Sequence, residues 1–157
     1  MIDIHSHVIF DVDDGSRNID ESLRMIAEAK NVGIGTVIAT PHFLDHVLNP
    51  DKTMKNLKIL LEHANDTGVE IKLGYEVVLH PLMLKGTGIV KQYTMNKTEY
   101  VLVEFPFNTS FELSCKVLAQ IQQNGLIPIV AHPERIETLI KKRRLIRRLK
   151  DSGCLLQ

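Results

Sequence analysis

Short apolar and β-branched runs recur along this chain at an interval that fits one strand plus one helix. Five such runs begin near residues 2, 36, 71, 100 and 127, so neighbouring starts lie 27 to 35 residues apart. A parallel strand pair with its connecting helix takes about 30 residues, so this spacing favours a parallel α/β fold. The predicted strands are Ile2 to His5, Thr36 to Thr40, Ile71 to Tyr75, Tyr100 to Val103 and Ile127 to Ala131.

The gaps between these strands carry helical patterns that end at glycine. Asn18 and Glu21 form a capping pair before an apolar stripe that ends at Gly33. The second stripe, closed by Gly68, consists of Met54, Leu57, Leu61 and Ala64. The third, closed by Gly125, consists of Leu113, Val117 and Ile121. The fourth, closed by Gly153, consists of Ile136, Leu139, Ile140, Ile146 and Leu149. Residues 77–98 are less regular and predict a loop with a short helix. Residues 153–157 resemble the start of a sixth strand.

Composition places the chain in the globular class. Its 157 residues are 44% hydrophobic, and strand, helix and glycine recur without a change of composition, so we predict a single domain over residues 1–157. Without an apolar run of membrane-spanning length or a signal-peptide pattern, we predict a cytoplasmic location. Cys115 and Cys154 form no C-x-x-C pair, which favours reduced thiols.

The formal net charge of zero conceals an uneven distribution of charge. Lys141 to Lys150 contains seven basic residues and no acidic one, which leaves 12 basic against 19 acidic residues in the rest of the chain. A run of this kind is usually a solvated helix face. The alternative is a docking surface for an acidic partner, a phosphorylated tail or an anionic membrane.

Every predicted strand ends at or just before a side chain that binds metals. These side chains are His5 and His7, His42, Glu76, Glu104 and His132. Loops at the carboxyl ends of parallel strands build the active site in such folds, so we expect these donors to converge on one metal centre. Histidine and carboxylate without thiolate suit Zn, Mn or Fe.

A carboxylate-rich turn follows the first strand at residues 11–15. Asp14 is a candidate ligand there, whereas Asp11 and Asp13 cannot be told apart from the sequence. The remaining three histidines do not follow a strand, and we interpret them as surface residues: His46, His63 and His80.

Six motifs occur in a fixed order along the whole chain. They are Asp3-x-His5-x-His7, Asp13-Asp14-Gly15, Pro41-His42, Gly74-Tyr75-Glu76, Val103-Glu104-Phe105 and Ala131-His132-Pro133-Glu134-Arg135. Together they resemble the polymerase-and-histidinol-phosphatase (PHP) superfamily, and within it the bacterial tyrosine-protein phosphatases that control capsular and exopolysaccharide synthesis. The first motif alone also opens amidohydrolases and TatD-type nucleases, so the ordered set carries the specificity.

The resemblance implies a metal-dependent protein-tyrosine phosphatase that hydrolyses phosphotyrosine by a metal-activated hydroxide. It implies up to three divalent cations, usually Mn²⁺, in a distorted β/α barrel, and a tyrosine-kinase tail as the phosphotyrosine protein. Carried over by position, the resemblance implies that His5, His7 and Glu76 would bind the first metal ion. Glu76, Glu104 and His132 would bind the second, and Asp14 and His42 the third. Arg135 would be the catalytic phosphate clamp.

The resemblance also calls for an Asp-x-His pair and a second arginine after Gln157, where this sequence stops. We therefore expect an incomplete (β/α) barrel of the PHP type with its C-terminal β/α units missing. Such a barrel would have an open strand edge that favours homo-oligomers and, as an isolated chain, weak activity.

Two alternative functions stay open on the sequence. One is a PHP phosphoesterase that acts on a small phosphate such as histidinol phosphate, and the other is a catalytically dead remnant that binds metal or docks a partner. Nucleic acid is disfavoured because no basic groove with interleaved aromatic residues is present. A thiol phosphatase is excluded, since Ile121 stands where a C-x5-R motif starting at Cys115 needs arginine.

Overall fold

The computed structural model describes residues 1–43, 49–80, 88–106 and 110–157. These residues divide into two compact units, Met1–Tyr75 and Glu76–Gln157. A single domain over the whole chain stays a prediction.

The first unit contains a three-stranded parallel sheet and two helices. In chain order its elements are β1 (Ile2–Ser6), α1 (Ile19–Asn31), β2 (Thr36–Ala39), the short β3 (His42–Phe43), α2 (Pro50–Ala64), a 3-10 turn (Asn65–Thr67) and β4 (Glu70–Leu73). The sheet order is β1-β2-β4. Thr36 pairs with Ile2 on one side and with Glu70 on the other, so the three strands start level and their carboxyl ends lie at the same edge.

The second unit contains four parallel strands with helices between them. Its elements are β5 (Glu76–Val78), 3-10 turns at Gly88–Tyr93 and Met95–Lys97, β6 (Tyr100–Glu104), α3 (Phe111–Gln123), β7 (Ile127–Val130), a 3-10 turn (Pro133–Arg135), α4 (Glu137–Lys141), α5 (Arg143–Asp151) and β8 (Leu155–Leu156). The strands pair in the order β5-β6-β7-β8. The short β8 confirms the predicted sixth strand.

The helices begin and end at the local signals that the sequence predicts. Asn18 caps α1 by accepting a hydrogen bond from the Glu21 N–H at 3.0 Å, and the Glu21 carboxylate accepts one from the Arg17 N–H at 2.8 Å. This reciprocal pair satisfies two amides at the helix start. The four closing glycines all adopt a left-handed conformation, with φ between 75° and 86°, which costs glycine little and ends a helix.

The parallel α/β class is confirmed, and three local predictions need correction. Residues 76–78 form a strand, although the loop was predicted to begin at residue 77. The last predicted helix is two helices, α4 and α5, which are separated at Lys142 with φ −130° and ψ 77°. Four consecutive cations at 141–144 repel one another in a continuous helix, which favours the break.

The third correction concerns the buried face of α2. Met54 and Leu61, two members of the predicted stripe, are 51% and 42% exposed, whereas Leu60 is completely buried. Leu57 and Ala64 are buried as predicted, whereas Thr53 and Leu60 replace their neighbours Met54 and Leu61, and Asn56 is also buried. This face packs into the core of the first unit, and α2 contacts α1.

Two further observations concern membrane-spanning helices and the cysteine thiols. Among the helices within the described ranges, none has both the length and the apolar character needed to cross a membrane. Cys115 and Cys154 are free thiols, and burial raises the pKa of both.

The corrected face of α2 gives a paired prediction. Leu60→Ala removes a fully buried side chain from the core, and we expect it to lower the free energy of unfolding by about 2–5 kcal/mol. Leu61→Ala, one residue away and partly exposed, should change it by roughly 0.5 kcal/mol. Urea unfolding of both variants measures the difference. Equal losses of unfolding free energy in the two variants would contradict the corrected face and favour the one predicted from the sequence.

Candidate metal centre

The first donor cluster begins at the carboxyl end of β1. His5 lies within the strand and His7 follows it, and their Nε2 atoms are 3.2 Å apart. The alternation of a strand places both imidazoles on the same side, as predicted. Two nitrogen lone pairs at this separation repel each other unless a proton or a cation lies between them, so the pair is suited to share a metal ion.

Asp13 fixes the orientation of His7. Its Oδ2 atom lies 2.7 Å from His7 Nδ1 and accepts a hydrogen bond from the His42 N–H at 3.0 Å, while its Oδ1 atom accepts one from the Gly15 N–H at 3.0 Å. Burial alone would raise the pKa of this carboxyl, but the hydrogen bonds with His7, His42 and Gly15 outweigh burial and lower the pKa. The ionised carboxylate can only accept, so His7 carries its hydrogen on Nδ1 and directs Nε2 to His5.

Asp14 and His42 complete the cluster of the first unit. Asp14 Oδ1 lies 3.4 Å from His42 Nε2, and the rings of His7 and His42 are 4.7 Å apart. One donor atom from each of His7, Asp14 and His42 lies within 4.8 Å of the other two. Asp11 points elsewhere, since its Oδ2 atom pairs with Lys52 Nζ at 3.0 Å. The structure thus separates Asp11 from Asp13, which the sequence could not distinguish.

The carboxylate-rich turn has room only for glycine at its last position, Gly15. A Cβ atom at this position would overlap the Cβ and the backbone oxygen of His7. The turn therefore lies directly against His7, and the Ser16 N–H donates to the His7 oxygen at 3.1 Å. This close approach brings Asp13 and Asp14 to the imidazoles.

The second unit has its own donor cluster, which is built from strand ends. Glu76 is the first residue of β5 and Glu104 is the last residue of β6. One carboxylate oxygen of Glu76 lies within 4.8 Å of one of Glu104, and Glu76 Oε1 is 3.7 Å from His132 Nε2. Glu76 is only 1% exposed. Two carboxylates this close, one of them buried, favour a cation beside them.

The chain reverses sharply at His132 after β7. Its φ of 48° and ψ of 47° lie in the left-handed region, which costs an L-residue about 1–2 kcal/mol. The turn that follows is closed by a hydrogen bond of 2.8 Å from the Arg135 N–H to the His132 oxygen. Arg135 is exposed, and its guanidinium makes no hydrogen bond or ion pair within the described part of the chain.

Of the three histidines interpreted as surface residues, His63 and His80 are exposed. His63 lies in α2, and its Nδ1 atom is 2.9 Å from the Ile59 oxygen. His46 lies outside the described residues.

The two clusters share one chemical character. Each combines imidazole nitrogen with carboxylate oxygen, and neither includes a thiolate. Such a donor set fits a divalent cation of the Zn, Mn or Fe type. In addition, Asp13 supplies the hydrogen-bonding partner that a metal-binding histidine usually has on its other ring nitrogen.

Comparison with known proteins assigns the chain to a family. The family model described as capsular polysaccharide synthesis, CpsB/CapC, matches residues 1–157. The chain belongs to the CpsB/CapC family. Tyrosine-protein phosphatase CpsB of Streptococcus agalactiae is 32% identical over all of this chain and 66% of its own length, and tyrosine-protein phosphatase YwqE of Bacillus subtilis is 29% identical over all of this chain and 63% of its own.

A solved structure extends the comparison to three dimensions. A chain from the crystal structures of YwqE from Bacillus subtilis and CpsB from Streptococcus pneumoniae, described as metal-dependent tyrosine phosphatases, matches with a TM-score of 0.88 and 29% identity. The match covers 100% of this chain and 65% of that one. The present chain thus spans just under two thirds of the length of these CpsB/CapC relatives.

The Asp13 interactions give a testable prediction. Asparagine offers one acceptor and one donor where Asp13 has two acceptors, so in Asp13→Asn the amide nitrogen faces a donor N–H whichever way it turns. We expect Mn²⁺ affinity, measured by titration calorimetry, to fall about 10- to 100-fold.

Asp11→Asn is the matched control because Asp11 is exposed and pairs with Lys52 instead. It should bind Mn²⁺ as the unaltered chain does, and circular dichroism should show that both variants are folded. Unchanged affinity in Asp13→Asn would contradict the positioning of His7 by Asp13.

Proposed function

We propose that this chain acts as a metal-dependent protein-tyrosine phosphatase in the control of capsule or exopolysaccharide synthesis. The observation that carries the proposal is a family match over all 157 residues of a chain whose two units each hold an imidazole and carboxylate cluster. Its relatives named above are tyrosine-protein phosphatases.

The proposed metal ligands are the seven side chains implied by the resemblance. They are His5, His7, Asp14 and His42 in the first unit and Glu76, Glu104 and His132 in the second. The proposed metal is Mn²⁺, with up to three ions. The distances within each unit support this set, because the donor atoms lie as close together as a shared cation requires.

The side chains around the metal ions have separable tasks. When bound, divalent cations neutralise charge on a phosphate ester and lower the pKa of water. Asp13 keeps the His7 imidazole in one tautomer, and buried Glu76 contributes negative charge that favours cation binding. Arg135 has an exposed, planar guanidinium next to His132, which suits bidentate binding of phosphate oxygens.

Three finer points belong to the same proposal. The fold is proposed as the incomplete (β/α) barrel of the PHP type, the substrate as phosphotyrosine in a protein such as a tyrosine-kinase tail, and the location as the cytoplasm. The fold and the substrate follow from the resemblance and from the family, and the location is the one predicted from the sequence.

Hydrolysis assays test the proposed activity. With Mn²⁺ the protein should hydrolyse a phosphotyrosine peptide at the low rate expected of an incomplete barrel, and a chelator should abolish the reaction. His42→Ala should remove most activity and weaken Mn²⁺ binding, whereas His63→Ala, on the exposed side of α2, should change neither. Faster hydrolysis of histidinol phosphate would favour the small-phosphate alternative. Bound Mn²⁺ with no hydrolysis of either substrate would overturn the proposal and favour a metal-binding remnant.

The role of Arg135 is tested by a second substitution. Arg135→Ala removes a charged donor to phosphate, and we expect kcat/KM for p-nitrophenyl phosphate to fall about 10- to 100-fold. Mn²⁺ content should stay unchanged. Arg24→Ala, an exposed arginine on α1, is the matched control and should leave both quantities unaltered. Loss of Mn²⁺ together with activity would instead assign Arg135 a structural role.

A further inference from the structure

Helix α5 presents a stripe of three cations, Arg143, Arg147 and Lys150, which we call the α5 stripe. Their spacing of four and three residues places them on one face of the helix. Together with Ile146 and Asp151 they line an open groove of about 380 Å³. Three of the five residues that line the groove are basic, Ile146 adds an apolar side chain and Asp151 is acidic.

Arg148, another cation of this basic run, has a structural role. Arg148 makes two hydrogen bonds to the Glu112 carboxylate, at 2.7 and 3.0 Å, and its guanidinium lies 5.9 Å from the ring centre of Phe111. These hydrogen bonds lower the pKa of Glu112. Arg148 thus fastens α5 to α3.

The α5 stripe has no such partner. Over the described ranges, none of its three side chains makes a hydrogen bond or an ion pair with another residue, and all three are exposed. Arginine supplies two of the three cations, and its planar fork suits carboxylate and phosphate oxygens. The stripe therefore fits an anionic ligand.

The orientation of α5 favours a peptide over a membrane. A helix that lies in a membrane surface inserts its apolar face into the lipid. In α5 the apolar Leu149 is 1% exposed, and the helix contacts α4 and β8 within its own unit. The exposed residues of α5 are its cations and Asp151, Leu145 and Ile146 are only partly exposed, and the three cations of the stripe border a groove instead of a plane.

Resting on the proposed function, we propose that the α5 stripe docks an extended acidic segment of the phosphotyrosine protein. With a helical rise of 1.5 Å per residue, seven residues of α5 cover about 10 Å, which matches three to four residues of extended chain. Acidic side chains at alternate positions of a strand lie about 6.6 Å apart on one face, close to the 6 Å rise between Arg143 and Arg147. The preferred segment has acidic residues at every second position.

Fluorescence anisotropy tests the docking without any catalytic step. The probe is a labelled peptide with alternating glutamates and no phosphotyrosine, at low salt. The triple variant Arg143→Gln, Arg147→Gln, Lys150→Gln should bind it at least about tenfold more weakly. The matched control Lys30→Gln, Lys55→Gln, Lys58→Gln removes the same charge from exposed positions on α1 and α2, and its affinity should change less than about twofold.

Four outcomes separate this proposal from its competitors. Equal weakening in both triple variants would show an unspecific charge effect and overturn it. Stripe-dependent binding to phosphatidylserine vesicles without binding to the peptide would assign the surface to a membrane and overturn it. A salt-sensitive dimer that disappears only in the stripe variant would assign the surface to a second copy and overturn it. Peptide binding that needs the stripe, with neither of these, supports it.

A small substrate keeps the two proposals distinguishable. The stripe variant should hydrolyse p-nitrophenyl phosphate as the unaltered protein does, because that molecule carries no acidic segment. Failure of the unaltered protein to hydrolyse it with Mn²⁺ would count against the proposed function alone. Peptide binding that does not depend on the stripe would count against the docking proposal alone.

Discussion

The buried carboxylate of Asp13 is the group on which the order of the first donor cluster depends. It joins three segments that are distant in the sequence, since it pairs with His7 at the end of β1, accepts from Gly15 in its own turn and accepts from His42 at the start of β3. An acceptor held by three donors stays ionised despite burial. Because it also selects the tautomer of His7, one side chain sets both the position and the chemistry of a metal ligand.

The second cluster reaches a similar chemistry by a different route. Pairing of β5 with β6 brings the carboxylates of Glu76 and Glu104 together, and the left-handed turn at His132 follows the next strand. A buried carboxylate next to another one is unfavourable without compensation. A strained histidine and a buried acid at the ends of paired strands are features that proteins keep where a site needs them.

The sequence predicted the elements better than it predicted their faces and contacts. Strand spacing, the Asn18 cap and the closing glycines act locally, so they could be read directly. In α2, by contrast, the core takes polar Asn56, whose amide donates to the Phe10 oxygen at 2.8 Å, and leaves Met54 exposed. Hydrophobicity alone cannot predict that choice. Nor can it distinguish Asp13 from Asp11, because only the fold decides which of the two is buried against His7.

Charge links the two donor clusters to the proposed activity. Both clusters are rich in carboxylates, and such a surface repels a phosphate ester unless cations reverse the local charge. Metal would then be needed to attract the substrate as well as to activate water. The α5 stripe carries positive charge that does not depend on metal, because its cations are side chains. A protein substrate with an acidic segment would therefore keep part of its affinity when metal is removed, whereas a small phosphate ester would lose nearly all of it.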